Sequence, residues 1–204
     1  MKRGKLITFE GAEGSGKSTQ IRGAAAYLKR KGHSVLLLRE PGGTRVSEAI
    51  REIILNKEFK EMRRETELLL YLAARAQIVR EKIEPALEKG KIVICDRFED
   101  STLAYQGFGR KMPVNSILAV SKMFVRGLLA PDLTFLLDID PRIGMKRGGR
   151  HDRIERESYL FHQKVRRGFL TLAKKNPKRF VVINSALNIE TVSRKIREAL
   201  GRVF

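Results

Sequence analysis

The chain has 204 residues and a formal net charge of +19, with 42 Lys and Arg set against 23 Asp and Glu. Apolar residues make up 42% of it, enough to bury a core, so the composition describes one folded domain over residues 1–204 and excludes a disordered basic tail. A single cysteine, Cys95, excludes a disulfide framework and points to the reducing cytoplasm, and no apolar run reaches membrane-spanning length.

Lys2, Arg3 and Lys5 lead straight into a β-prone run at 5–9, which argues against a signal peptide. A glycine-rich loop follows, and residues 18–31 read as a helix closed by Gly32. Residues 34–39 are apolar without alternation, the pattern of a buried parallel strand. Pro41-Gly42-Gly43 marks a turn, and 46–56 a helix with Val46, Ile50, Ile53 and Ile54 on one face. Beyond the charged surface stretch 57–64, a long helical pattern covers 65–88 and stops at Gly90; 92–95 is the third strand. Helical stretches at 101–108 and 114–127 lead to a strand at 133–138 and a helix at 141–146, interrupted by Gly148-Gly149. A helix over 153–175, a strand at 180–184 and a helix over 189–200 close the chain. Strands alternating with helices predict an α/β fold: a central five-stranded parallel sheet flanked by helices on both faces.

Gly11-Ala12-Glu13-Gly14-Ser15-Gly16-Lys17-Ser18 matches G-x-x-x-x-G-K-[ST] at every fixed position, between a strand and a helix as that pattern requires. Glycines let the backbone turn its N–H groups towards phosphate oxygens. Lys17 supplies a mobile positive charge and Ser18 a hydroxyl for Mg²⁺, while the helix start, with Thr19 in its first turn, adds its positive end. The loop predicts binding of a nucleoside triphosphate.

Ligands of parallel sheets sit at the carboxyl ends of the strands. Asp96-Arg97-Phe98 ends the third strand there. Asp96 could hold Mg²⁺ through water or orient an acceptor, and Arg97 could grip an anion, or the two could pair with each other. Arg39-Glu40-Pro41-Gly42-Gly43-Thr44 reaches the same edge, and Arg51 on the next helix faces either the pocket or solvent. Tyr71 and Arg75 are four residues apart on one helix face, fit either to read a base or to form a packing stripe.

The string Asp96-Arg97-Phe98-x-x-Ser101-Thr102-x-Ala104-Tyr105-Gln106 closely resembles the signature of the thymidylate kinase family. The phosphate loop and residues 39–44, 70–77 and 137–147 are similar to that family in the same order, over essentially the whole chain. The resemblance implies a P-loop nucleoside monophosphate kinase that transfers the γ-phosphoryl group of ATP, with Mg²⁺, to dTMP, and that forms a homodimer. It implies that Lys17 and Ser18 serve ATP and Mg²⁺, and that Glu13 meets the acceptor's 3′-hydroxyl. Arg51 and Arg97 would hold its 5′-phosphate, with Arg39 in support. Tyr71 would stack on thymine and Arg75 donate to its O4, with Ser101, Thr102 and Gln106 lining the pocket and Tyr105 crowding the 2′ position. A guanidinium only donates, which suits thymine or uracil and opposes cytosine's amino group.

The excess charge lies late: residues 103–204 hold 21 basic and 8 acidic side chains, many of the basic ones between Arg142 and Arg167. Such a run is by default a solvated helix face. The resemblance makes it a mobile basic lid, about 147–153, that closes over ATP. Because Ala12, Glu13, Gly14 and Ser15 include no arginine, the bacterial type is implied, in which the lid supplies the catalytic one: Arg150 first, then Arg153, with Arg147 on ATP. Lys17, Asp96 and Arg97 complete the catalytic set. Lys174, Lys175, Lys178 and Arg179 carry no motif and read as solvated surface, and Cys95 as inert core. His33, His151 and His162 show no ligand spacing. Two other functions stay open: a kinase for another acceptor, such as a deoxynucleoside or dUMP, and a nucleic-acid-binding ATPase, suggested by the charge alone, with no specific nucleic-acid motif beside it.

Overall fold

The computed structural model describes residues 3–124, 129–147 and 152–204. Its strands are β1 (Leu6–Glu10), β2 (Val35–Arg39), β3 (Ile92–Asp96), β4 (Leu133–Asp138) and β5 (Phe180–Asn184). They form one sheet in the order β2-β3-β1-β4-β5, every neighbouring pair parallel. The helices are α1 (Lys17–Arg30), α2 (Arg45–Leu55), α3 (Arg64–Ile78), α4 (Glu84–Glu88), α5 (Glu99–Thr102), α6 (Val114–Phe124), α7 (Pro141–Arg147), α8 (Tyr159–Lys175) and α9 (Ile189–Gly201).

Alternate side chains of the strands supply two cores. Ile7, Phe9, Ile94, Phe135 and Leu137 pack beneath Ile21 and Leu28 of α1 and Ile196 and Leu200 of α9. On the other face, Leu6, Val93 and Cys95 meet Ile78 and Leu87, while Leu136 meets Phe161 and Phe169 of α8. Each such side chain fully buried contributes about 1.5–3 kcal/mol, so β1, buried along its whole length, fixes the centre of the sheet. From β1 the chain enters α1 on one face, and from its neighbour β3 it enters α5 on the other. The two loops therefore diverge over the carboxyl edge, and a crevice opens between them.

Several expectations are corrected. Residues 34–39 do form a parallel strand, but β2 is an edge strand with a single neighbour, and Leu37 is 41% exposed. In α2 the face turned inward carries Ser47 and Ile54, while Val46 and Ile53 point outward. The long helix after 64 contains a π-helical turn, Val79–Ile83, before α4. Pro85 has no N–H to give Glu81 and its ring crowds that carbonyl, so the helix widens one turn upstream. Helix α8 starts at Tyr159, later than expected, because Ser158 caps it by accepting the Phe161 amide at 3.2 Å. Arg179 is no solvated cation: it grips Asp100 through two bonds, of 2.6 and 2.9 Å, and donates to Thr134 Oγ1 at 2.7 Å. The end of the expected 114–127 helix, and lid residues 148–151 with Arg150, lie outside the described residues.

Candidate active site

The phosphate loop leaves β1 at Glu10 and ends where Gly16, at φ 82°, opens α1. No side chain caps that helix, so its first-turn amides remain available to an anion. Gly14 lies against the backbone of Gly144 in α7: a Cβ on Gly14 would strike the Gly144 carbonyl, and one on Gly144 the Glu13 carbonyl. Lys17 Nζ donates to the carbonyls of Gly11 and Ala12, each at 3.0 Å. Burial and the nearby Arg97 draw its pKa down to about 8, against the opposing pull of Asp96, Glu13 and Glu10. One side of this loop faces a broad cleft lined by residues 14–20, Arg147 and residues 185–190, where the chain passes from β5 into α9. Arg147 Nη1 donates to the Ser185 carbonyl at 3.1 Å. The sequence reading missed Ser185 to Ile189; their one available signal was their place after a strand's carboxyl end.

The other side faces a cavity of about 400 Å³. Glu13, Lys17, Ser18, Arg39, Arg51, Tyr71, Arg75, Asp96, Arg97, Ser101, Thr102, Tyr105 and Gln106 all line it. Arg97 ties this wall to the phosphate loop. Its Nη1 donates to the Gly11 carbonyl (3.0 Å) and Ser101 Oγ (3.2 Å), and its Nη2 to Glu13 Oε1 (2.8 Å), with the guanidinium 5.0 Å from the Tyr105 ring centre. Burial alone would discourage its charge, but Tyr105, Glu13, Asp96 and Glu10 hold its pKa above the usual value. The Asp96–Arg97 ion pair left open by the sequence is absent from the bridges among the described residues. Glu13 also accepts the Tyr105 hydroxyl, and although burial disfavours its ionised form, Arg97 and Lys17 keep its pKa low.

Further out, Arg51 donates to the Pro41 carbonyl at 2.9 Å, and Arg39 pairs with Glu48 at 2.8 Å. Arg75, 2% exposed, is held by Glu40 at 2.7 Å while its Nη1 has no partner among the described residues. Thr102 Oγ1 and Asp96 Oδ1 are likewise buried without partners among the described residues. An orphaned donor and acceptor in a cavity wall are what a base edge or a hydrated cation satisfies. The oxygen donors of Asp96 and Ser18, both in that wall, suit Mg²⁺, a hard cation that keeps several waters and takes few protein ligands.

Arg153 sits elsewhere. It pairs with Glu67 at 2.6 Å and donates to the Ile54 carbonyl at 3.1 Å, beside α2 and α3. Glu67, 1% exposed, also receives Gln106 and Arg110, and thus joins the cavity wall to α3. His162, 2% exposed, brings Nδ1 within 3.6 Å of Glu13 Oε2. Glu67 and His162 were missed, since nothing in their local sequence distinguishes them.

A glycine-rich loop at a helix start, with an arginine-lined second cavity across it, defines a P-loop kinase that brings two phosphate-bearing ligands together. A family model described as thymidylate kinase matches residues 9–196. The chain is 47% identical over 202 residues to a thymidylate kinase of Thermoanaerobacter sp. (strain X514), covering 98% of each. It is 47% identical over 206 residues to one of Geobacter sulfurreducens, covering 97% of this chain and 96% of the relative. The crystal structure of thymidylate kinase from Ehrlichia chaffeensis superposes with a TM-score of 0.80 at 35% identity, over 98% of this chain and 99% of that one. The chain belongs to the thymidylate kinase family, phosphotransferases that convert dTMP to dTDP with ATP.

Proposed function

We propose that the family's reaction runs across the phosphate loop, with ATP in the cleft by residues 185–190 and dTMP in the 400 Å³ cavity. The observation that carries this reading is Arg97, which touches the loop through Gly11 and Glu13 while lining the acceptor cavity. Residues 11–19 and Arg147 bind ATP, and Lys17 follows the transferring phosphoryl group. Arg97 and Arg51 hold the 5′-phosphate with Arg39 behind them, and Glu13 receives the 3′-hydroxyl. Tyr105 crowds the 2′ position, Tyr71 stacks on the base, and the open Nη1 of Arg75 meets O4, with Ser101, Thr102 and Gln106 completing the wall. Ser18 and Asp96 would hold Mg²⁺, which supplies charge neutralisation on the phosphates. Two anions must meet, so positioning and charge stabilisation supply most of the catalysis. The catalytic arginine would come from the lid, residues about 147–153: Arg150, which lies outside the described residues, or Arg153, if it leaves Glu67.

The protein acts in the cytoplasm as one domain and as a homodimer; no helix among the described residues is long and apolar enough to cross a membrane. The test is an acceptor panel with ATP and Mg²⁺ held fixed and ADP release measured. dTMP is expected to give the highest kcat/KM among nucleosides and monophosphates; another acceptor ahead of it would overturn the assignment.

A further inference from the structure

Arg97 adopts a left-handed backbone conformation, φ 69°, which a residue with a Cβ takes only when its surroundings hold it. The bonds on either side show what holds it. Its own N–H donates to the Phe9 carbonyl at 3.0 Å. The next amide, Phe98 N–H, donates at 2.8 Å to Glu10 Oε1, and Glu10 Oε2 shares a hydrogen bond of 2.6 Å with the Ser101 hydroxyl. Glu10 is the last residue of β1 and has no exposed surface, so its carboxyl bridges the central strand to both ends of the turn. The same Ser101 oxygen receives Arg97 Nη1, so the guanidinium and the backbone that aims it share one anchor.

We propose that Glu10 is a positioning residue for the acceptor phosphate: it fixes the 97–101 turn so that Arg97 faces the phosphate loop. The proposal rests on the assignment of Arg97 to the acceptor. Without the Glu10 carboxyl, the Phe98 amide is buried and unpaired, and the turn relaxes towards a conformation that meets that need elsewhere. Arg97 then leaves the line of Gly11 and Glu13.

Glu10→Met keeps the volume and removes both bonds, whereas Glu10→Gln keeps an acceptor for Phe98 and a polar partner for Ser101. E10M is expected to raise the KM for dTMP and lower kcat, each about tenfold or more, with the KM for ATP unchanged within about twofold. E10Q is expected to stay within about threefold of the parent. Unchanged kinetics in E10M, an equal loss for ATP, or E10Q as impaired as E10M would each overturn the proposal. Should E10M fail to fold, Glu10→Asp, which withdraws the carboxyl by one methylene, replaces it with the same expectation. A crystal structure of the variant gives a readout independent of the acceptor's identity: Arg97 retaining its positive φ and its bond to Glu13 refutes the proposal. If the parent enzyme fails to use dTMP, the substrate assignment falls while that structural readout still decides the role of Glu10.

Discussion

Across the pH range from 4.5 to about 8, the folded chain keeps a proton on Glu10 that the unfolded chain releases, because burial, and then Asp100, raise that carboxyl. Its contribution to stability is therefore complete below pH 4.5 and is lost as pH rises through about 8. Glu13 contributes with the opposite sign: its pKa is lowered, so its share is lost on acidification. E10Q cannot ionise. Its melting temperature should fall less than the parent's between about pH 6 and pH 9 by scanning fluorimetry, and parallel curves would contradict the raised carboxyl. The residues legible in the sequence were those packed into short strings, such as Lys17 in its loop or Arg97 beside Ser101. Glu10 escaped because its partners Phe98 and Ser101 lie 88 and 91 residues away, and Arg179 because Asp100 lies 79 away. A contact closed only by folding leaves no local spacing to read.

At the scale of elements, strands were legible because unbroken apolar runs between turn residues have few other uses. What the pattern could not give was which side of an element is covered. Helix α2 carries a clean apolar stripe, yet Val46 and Ile53 are 48% and 43% exposed. Edge strand β2 likewise looks like a central one until its neighbours are counted. The segment between α7 and α8 is where chemistry and pattern meet. Arg153 N–H donates to the Leu55 carbonyl and its guanidinium pairs with Glu67, which ties that end of the segment to α2 and α3. If this segment delivers the catalytic cation, Arg150→Ala or Arg153→Ala should lower kcat by a factor of about 10³ or more, as loss of an arginine finger does. Near-normal kcat in both variants would remove the lid from the mechanism.

For the molecule as a whole, +19 resolves into several uses. Some cations, such as Lys17, Arg51, Arg75 and Arg97, line the cavity beside the phosphate loop. Others, such as Arg179 on Asp100, Arg166 on Asp138 and Arg110 on Glu67, tie elements together. The outward apolar side chains Val46 and Ile53 of α2, Leu69 of α3, and Met123 and Phe124 of α6 are where the proposed homodimer would find apolar surface to cover. Ile53→Glu should accordingly convert a dimer to a monomer in light scattering, with the fold retained by circular dichroism; a dimer in the variant would exclude that face. Where Gly14 lies on Gly144, main chain rests on main chain, with no side chain between to act as a cushion. Helix α7, which carries Arg147, is thereby seated on the phosphate loop like a stone on its course. A rearrangement that lifts one must carry the other, so if ATP binds on that side as proposed, opening it would change the loop's own shape.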